Sequence, residues 1–175
     1  MATATERDAA RRREILAAAE QCFFTFGFAK TSIDDIARAA GVSRPLLYRK
    51  YKNKEAIFQS IYDQVFTSAL ANAAKITSGS KRERLAQYCQ IVCVDTYALI
   101  ADTPVAREFW TICEEILPEI LDDHDRKWKK LLATVLPKSD VEPFSLAIEG
   151  QWSDGPTAAV FAKRLRVLIE RFTSK

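Results

Sequence analysis

Residues 41–56, GVSRPLLYRKYKNKEA, carry five basic side chains, Arg44, Arg49, Lys50, Lys52 and Lys54, two tyrosines, and no acid before Glu55. Guanidinium and ammonium groups at this density suit phosphate oxygens and base edges; they suit equally the solvated face of a helix. Other chemistry-bearing residues are sparse. The single histidine, His124, sits in Leu121-Asp122-Asp123-His124-Asp125-Arg126, a charged run expected at the surface. Adjacent residues of a helix point to different sides, so this run is not expected to hold a metal. The four cysteines, Cys22, Cys89, Cys93 and Cys113, include no Cys-x-x-Cys pair, although Cys89 and Cys93 fall on one side of any helix. With one histidine available, a zinc site lacks a plausible ligand set, and buried, reduced thiols are the expectation. No Gly-x-Ser-x-Gly or phosphate loop is present, so we expect no enzyme, no cofactor and no metal.

The charge is unevenly spread. The 175 residues carry 26 Lys and Arg against 23 Asp and Glu, a net +3. Residues 1–54 hold eleven of those basic residues and six of the acids, so the first third is +5 and the remainder −2. A basic N-terminal unit ahead of a mildly acidic body implies two tasks in one chain. No apolar run approaches the ~18–20 residues that cross a bilayer, and MATATERDAARRREIL lacks the apolar core of a signal peptide, so a cytoplasmic protein is expected.

The elements that must hold these residues all read as helices. In residues 7–26, Ile15, Leu16, Ala19, Cys22, Phe23 and Phe26 recur at steps of three and four, and Gly27 stands where the helix would end. Ser32 can cap a short second helix with Asp35 in its first turn and Ile33, Ile36, Ala37 and Ala40 inward, closed by Gly41. Ser43 can cap the next, with Pro45 in its first turn and Leu47 and Tyr51 inward. Two short helices around a Gly-containing turn, the second one basic, form a helix-turn-helix pattern. Asn53 can cap a long helix from Lys54 to about Ile76 with Ile57, Ile61, Val65 and Leu70 inward, and Thr77-Ser78-Gly79-Ser80 breaks the chain. Further helices are expected over 81–101 (Leu85, Cys89, Val92, Thr96 and Leu99 inward), from Thr103-Pro104 through Ile116, from Pro118 to near Leu136, over 140–151 and over 156–173.

The stretch FFTFGFAKTSIDDIARAAGVSRPLLYRKYKNKEAIF, residues 23–58, resembles the TetR family of bacterial transcription regulators, inside a three-helix unit over about 6–54. The resemblance rests on Thr31-Ser32-Ile33-x-Asp35-Ile36-Ala37, Ala40-Gly41-Val42-Ser43, Leu47-Tyr48 and Lys54-Glu55-Ala56. It implies an all-α fold, with a helix-turn-helix DNA-binding domain at 1–53 and an effector-binding and dimerisation domain at 54–175. Leu46 stands where many relatives have a small or hydroxyl-bearing residue and Pro45 where glycine is frequent, so a relative's operator sequence does not transfer.

A major groove roughly 12 Å wide admits one helix, and the helix at about 44–50 fits it. On its outer face Arg44, Pro45, Leu46, Tyr48, Arg49 and Lys50 are the expected DNA contacts. Arg44 and Lys50 are candidates for guanine O6 and N7, and Leu46 for a thymine methyl. Ser32 and Ser43 open helices whose free N–H groups can receive phosphate oxygens, and Tyr48, Lys52 and Lys54 would hold the backbone. One such helix reads few base pairs, so the resemblance implies a homodimer on a double-stranded operator, reading heads about one DNA turn, ~34–36 Å, apart. The expected interface uses Phe161, Leu165, Leu168 and Phe172 of the last helix with Phe144, Leu146 and Ile148 of the preceding one. A small-molecule effector would sit among Phe66, Tyr88, Cys89, Thr96, Phe109, Trp110, Cys113 and Trp128. The expected function is a repressor released by that ligand. The alternatives are a regulator answering to cysteine oxidation, and a helical ligand- or partner-binding protein with no DNA role.

Overall fold

A computed structural model describes residues 3–101, 103 and 105–174; for Ala4, Ala106, Arg107 and Trp110 it describes the backbone alone. Among the described residues every regular element is helical: α1 Ala4–Phe26, α2 Ile33–Ala39, α3 Arg44–Lys50, α4 Lys54–Ala74, α5 Lys81–Cys89, a π-helical turn Gln90–Val94, α6 Asp95–Ala101, α7 Ala106–Ile116, α8 Pro118–Leu132, α9 Lys138–Glu149 and α10 Ala158–Thr173. They form two compact units. The first comprises the chain up to Gln64 with Thr103–Leu117, the second the chain from Val65 to residue 101 with the residues from Pro118 on, so the division falls inside α4.

In the first unit the inward stripe of α1 behaves as its spacing predicts: Ile15, Leu16, Ala19, Cys22 and Phe23 are buried. Phe26, the expected end of that stripe, is 58% exposed. Gly27 ends the helix with φ +86° and ψ 157°, a conformation nearly closed to residues with a Cβ. Ile36 of α2 and Leu47 of α3 are fully buried, each worth about 1.5–3 kcal/mol when moved from water. Gly41, at φ +61°, makes the turn between α2 and α3. Phe23, Phe28 and Phe58 form an aromatic cluster with centroids 5.3–5.8 Å apart, and Phe109 of α7 joins it at 5.1 Å from Phe58 and 6.0 Å from Phe24.

The second unit is built on Leu85, Tyr88, Cys89, Val92, Phe144, Ile148, Phe161 and Leu165. Tyr97 and Trp152 pack on Phe161 at 4.7 and 5.8 Å, and Phe144 packs on Phe172 at 5.1 Å. The 81–101 segment departs from one uninterrupted α-helix. The π turn inserts one extra residue, so the inward stripe advances from the expected Thr96 and Leu99 to Tyr97 and Ile100, and Leu99 is 44% exposed. α7 begins at Ala106 after Val105 rather than at a Thr103-Pro104 cap; Pro104 lies outside the described residues. His124 is buried instead of exposed, its ring stacked on Phe66 at 5.0 Å, because α8 turns this position inward while Asp123, Asp125 and Arg126 face outward. No described helix is long and apolar enough to cross a membrane.

Candidate nucleic-acid interface

The reading surface is set by how α2 and α3 are capped and packed. Ser32 and Asp35 cap α2 reciprocally: the Asp35 N–H donates to Ser32 Oγ at 3.2 Å and the Ser32 N–H to Asp35 Oδ2 at 3.0 Å. The Ser32 hydroxyl also donates to Asp35 Oδ2 at 2.5 Å, and this bond first, with the Ser32 N–H next, holds the Asp35 carboxyl below its ordinary value. Ser43 precedes α3 but makes no side-chain cap bond, so its exposed hydroxyl stays available. Leu47 and Tyr51 face inward, and Ser43, Arg44, Pro45, Tyr48, Arg49 and Lys52 lie exposed, with Leu46 half-buried.

The basic residues divide into two sets. Arg49 and Lys52 are exposed and make no ion pair among the described residues. Arg44 is exposed but held: Nε lies 3.1 Å from Asp34 Oδ1, Nη1 lies 3.1 Å from Asp34 Oδ2, and its guanidinium stands 5.6 Å from the centre of the Tyr48 ring. Tyr48 and, after it, Asp34 push its pKa further upward. Lys50 is turned back onto Asp8 of α1. Lys54 is half-buried and turned back onto the chain. Its Nζ donates to the carbonyls of Phe28 at 2.8 Å, Thr31 at 3.2 Å and Ala29 at 3.4 Å, and lies 4.4 Å from the Phe28 ring centre. The structure therefore gathers Ser43, Arg44, Pro45, Leu46, Tyr48, Arg49 and Lys52 on and beside α3, and gives Lys50 and Lys54 protein partners.

Sequence reasoning missed four residues that shape this surface. Thr31 is buried and donates to the Gly27 carbonyl at 2.7 Å, tying off the end of α1. Glu108 of α7 accepts the Ala29 N–H at 2.7 Å. Asp8 and Asp34 hold Lys50 and Arg44. A charge-balancing scan of the basic stretch would find the two aspartates; nothing local to residues 27–31 points to Glu108.

A family model described as bacterial regulatory proteins, tetR family, matches residues 15–61, the segment just built from α1 to α4. The chain carries a TetR-family N-terminal domain. That domain is 41% identical over 59 residues to the transcriptional regulator EthR of Mycolicibacterium smegmatis and 39% identical over 54 residues to the regulator TtgR of Pseudomonas putida, spans of 34% and 31% of this chain. The matches cover 27% and 26% of those relatives, so the chain spans about a quarter of their length in alignment. The TetR-like fold extends further. A TetR-like transcriptional regulator from Rhodococcus sp. RHA1 superposes with a TM-score of 0.63 at 25% identity, over 93% of this chain and 95% of that one. A TetR transcription regulator from Haloarcula marismortui superposes with a TM-score of 0.78 at 13% identity, over 95% and 98%.

The other expected sites fall differently. Phe144, Ile148, Phe161 and Leu165, expected at a dimer interface, are each at most 2% exposed within the protomer. Their stripe is the inner face of α9 and α10, which pack on each other. Leu168 and Phe172 are half-buried, and the apolar side chains left outside are Leu146 on α9 (56% exposed) and Val160 and Val167 on α10 (42% and 53%). Of the pocket candidates, Phe109 and Cys113 belong to the first unit, Phe109 inside its aromatic cluster, and the Trp110 side chain lies outside the described residues. Phe66, Tyr88, Cys89, Thr96 and Trp128 belong to the second. There Tyr88 donates to the Ile76 carbonyl at 3.2 Å, and Thr96 bonds back to the Val92 carbonyl at 2.6 Å.

Proposed function

We propose that the protein is a homodimeric, cytoplasmic DNA-binding transcriptional regulator, a repressor released from a double-stranded operator by a small molecule. The observation that carries this reading is α3 itself: a seven-residue helix anchored by buried Leu47, following a Gly41 turn and a capped α2, with Arg44, Tyr48 and Arg49 turned outward and exposed Lys52 just past its end. Outward arginines and tyrosine on a helix of groove width suit base edges and phosphates, and a lysine just past its end suits phosphates. Two copies would meet through Leu146, Val160 and Val167, with Leu168 and Phe172 at the margin. Val160 and Val167 are seven residues apart, on one stripe of α10, and Leu146 is the exposed large apolar side chain of α9, the helix that packs against α10. An effector would be held by the second unit around Phe66, His124 and Trp128. It acts only by favouring one dimer shape over another.

The state of the thiols weighs against a redox regulator. All four cysteines are free and buried. Burial pushes the Cys113 thiol up to about 12; burial and then Asp35 raise that of Cys22, and a bond to Cys93 together with burial raises that of Cys89. The reactive thiolate is therefore scarce at Cys22, Cys89 and Cys113. Selecting duplex fragments from a random pool with the purified protein tests the DNA reading. Enrichment of a palindromic site with half-sites one or two turns apart supports it; recovery of unenriched sequence at low salt overturns it.

A further inference from the structure

The geometry points to Asp34 as a specificity-positioning residue: its carboxylate on α2 fixes the Arg44 guanidinium for base reading while repelling indiscriminate phosphate contact. This rests on the DNA-binding reading above. An acid in the middle of a basic reading surface is costly for plain affinity, because each phosphate neutralised by a cation contributes to binding through released counterions. Asp34 sits there nonetheless. It faces Arg44 across the helix-turn-helix with both carboxylate oxygens, each 3.1 Å from a guanidinium nitrogen. Asp35, the neighbouring acid, already performs the capping of α2, so Asp34 is not needed for the cap.

Two contacts then define where Arg44 points. Asp34 holds Nε and Nη1, and the Tyr48 ring lies under the guanidinium at 5.6 Å. An arginine side chain carries about 2 kcal/mol of rotamer entropy, and a fork already held in place loses less of it on docking. Nη2 and the remaining N–H of Nη1 stay outside the carboxylate, the end-on pair that guanine O6 and N7 accept. The Arg44 side chain is 59% exposed and that of Asp34 51%, so neither is sealed off from a docking duplex. A free arginine at this position would follow the nearest phosphate. A carboxylate beside it disfavours phosphate and leaves the base edge, which bears no full charge, as the favoured partner.

The experiment measures affinity of the full chain for its selected duplex and for random duplex, in wild type, Asp34→Asn, Arg44→Ala and the double variant, with circular dichroism to confirm folding. Asp34→Asn is expected to bind random duplex several-fold more tightly and to lose about tenfold in the ratio of selected to random affinity, within the range one bidentate base contact supplies. In the Arg44→Ala background Asp34→Asn should leave that ratio unchanged, because its effect on selectivity passes through Arg44. A merely structural role would lower both affinities together and would do so in both backgrounds. An Asp34→Asn protein that keeps the wild-type ratio overturns the inference while leaving the DNA reading intact. A wild type that selects no duplex overturns both.

Discussion

The Glu108 carboxylate reaches the Ala29 N–H at 2.7 Å across 79 positions of sequence, fastening α7 to the turn that joins α1 to α2. Gly27 makes room for it. A Cβ on Gly27 would overlap the Glu108 carboxylate and would also sit on a residue at φ +86° and ψ 157°. Gly27→Ala should therefore destabilise the protein by about 1–3 kcal/mol from the backbone alone, and more from the collision. The double variant Gly27→Ala/Glu108→Ala removes the collision and keeps the backbone cost. Urea unfolding of the two variants and of Glu108→Ala separates the terms. If Gly27→Ala unfolds at the wild-type midpoint, the turn is not built as described.

Lys52 and Lys54, two residues apart, should respond differently to the same substitution. Lys52 is exposed and makes no ion pair among the described residues, so Lys52→Ala is expected to weaken binding to every duplex alike and to reduce the salt slope by about one. Lys54 is bonded to three carbonyls at the turn after α1. Lys54→Ala strips those acceptors of their donor and should cost about 1–3 kcal/mol of folding stability. A mobility shift at several salt concentrations, paired with thermal unfolding, checks both. A Lys54→Ala protein of wild-type stability would return this lysine to the DNA.

What the sequence made legible follows from how local each cause is. The 41–56 stretch, the Ser32–Asp35 cap, the Gly41 turn and the Asn53 cap on the Ala56 N–H are all short-range, and each stands in the structure. A fixed α-helical period carries the stripe through 81–101 only as far as the π turn, which adds one residue that no spacing rule anticipates. The charges around His124 point to the surface, whereas tertiary packing of α8 stacks its ring on Phe66. The apolar stripe of α10 was legible as a stripe. Which apolar residues face the protomer's own core and which stay outside depends on where α5 and α9 lie against it, and no local pattern carries that.

The capping carboxylates set an acid limit with a definite sign. Asp35 is held below its ordinary 3.8 by the Ser32 hydroxyl first and the Ser32 N–H next; Glu6 and Glu83 are lowered from 4.5 by the N–H first and the hydroxyl next of Thr3 and Ser80. A group whose folded value is depressed binds protons less readily in the native state. Its stabilisation is complete above the unfolded value and is lost as pH falls through the lower folded one. Urea midpoints followed from pH 7 down to about 3 should therefore fall below the ordinary carboxylate range. Ser32→Ala should be less stable than wild type at neutral pH, and the gap should narrow at the acid end as Asp35 protonates. A gap that widened with acid would reverse the sign assigned to Asp35.

Val167 and Leu165 stand two positions apart on α10 and face opposite ways. Leu165 is 1% exposed and Val167 53%. A carboxylate at 165 must be buried without a partner, so Leu165→Asp should cost about 4 kcal/mol or more and abolish cooperative unfolding. Val167→Asp keeps its charge in water while the protomer stands alone. In a two-fold dimer joined through Leu146, Val160 and Val167, each interface would receive the new charge twice, once from each copy. The expectation is a folded Val167→Asp monomer by light scattering, with a circular dichroism spectrum like wild type and lost affinity for a palindromic duplex, because one reading helix covers too few base pairs. Leu146→Asp should behave likewise from the neighbouring helix. If Val167→Asp and Leu146→Asp both remain dimers at micromolar concentration, the two copies meet through another surface.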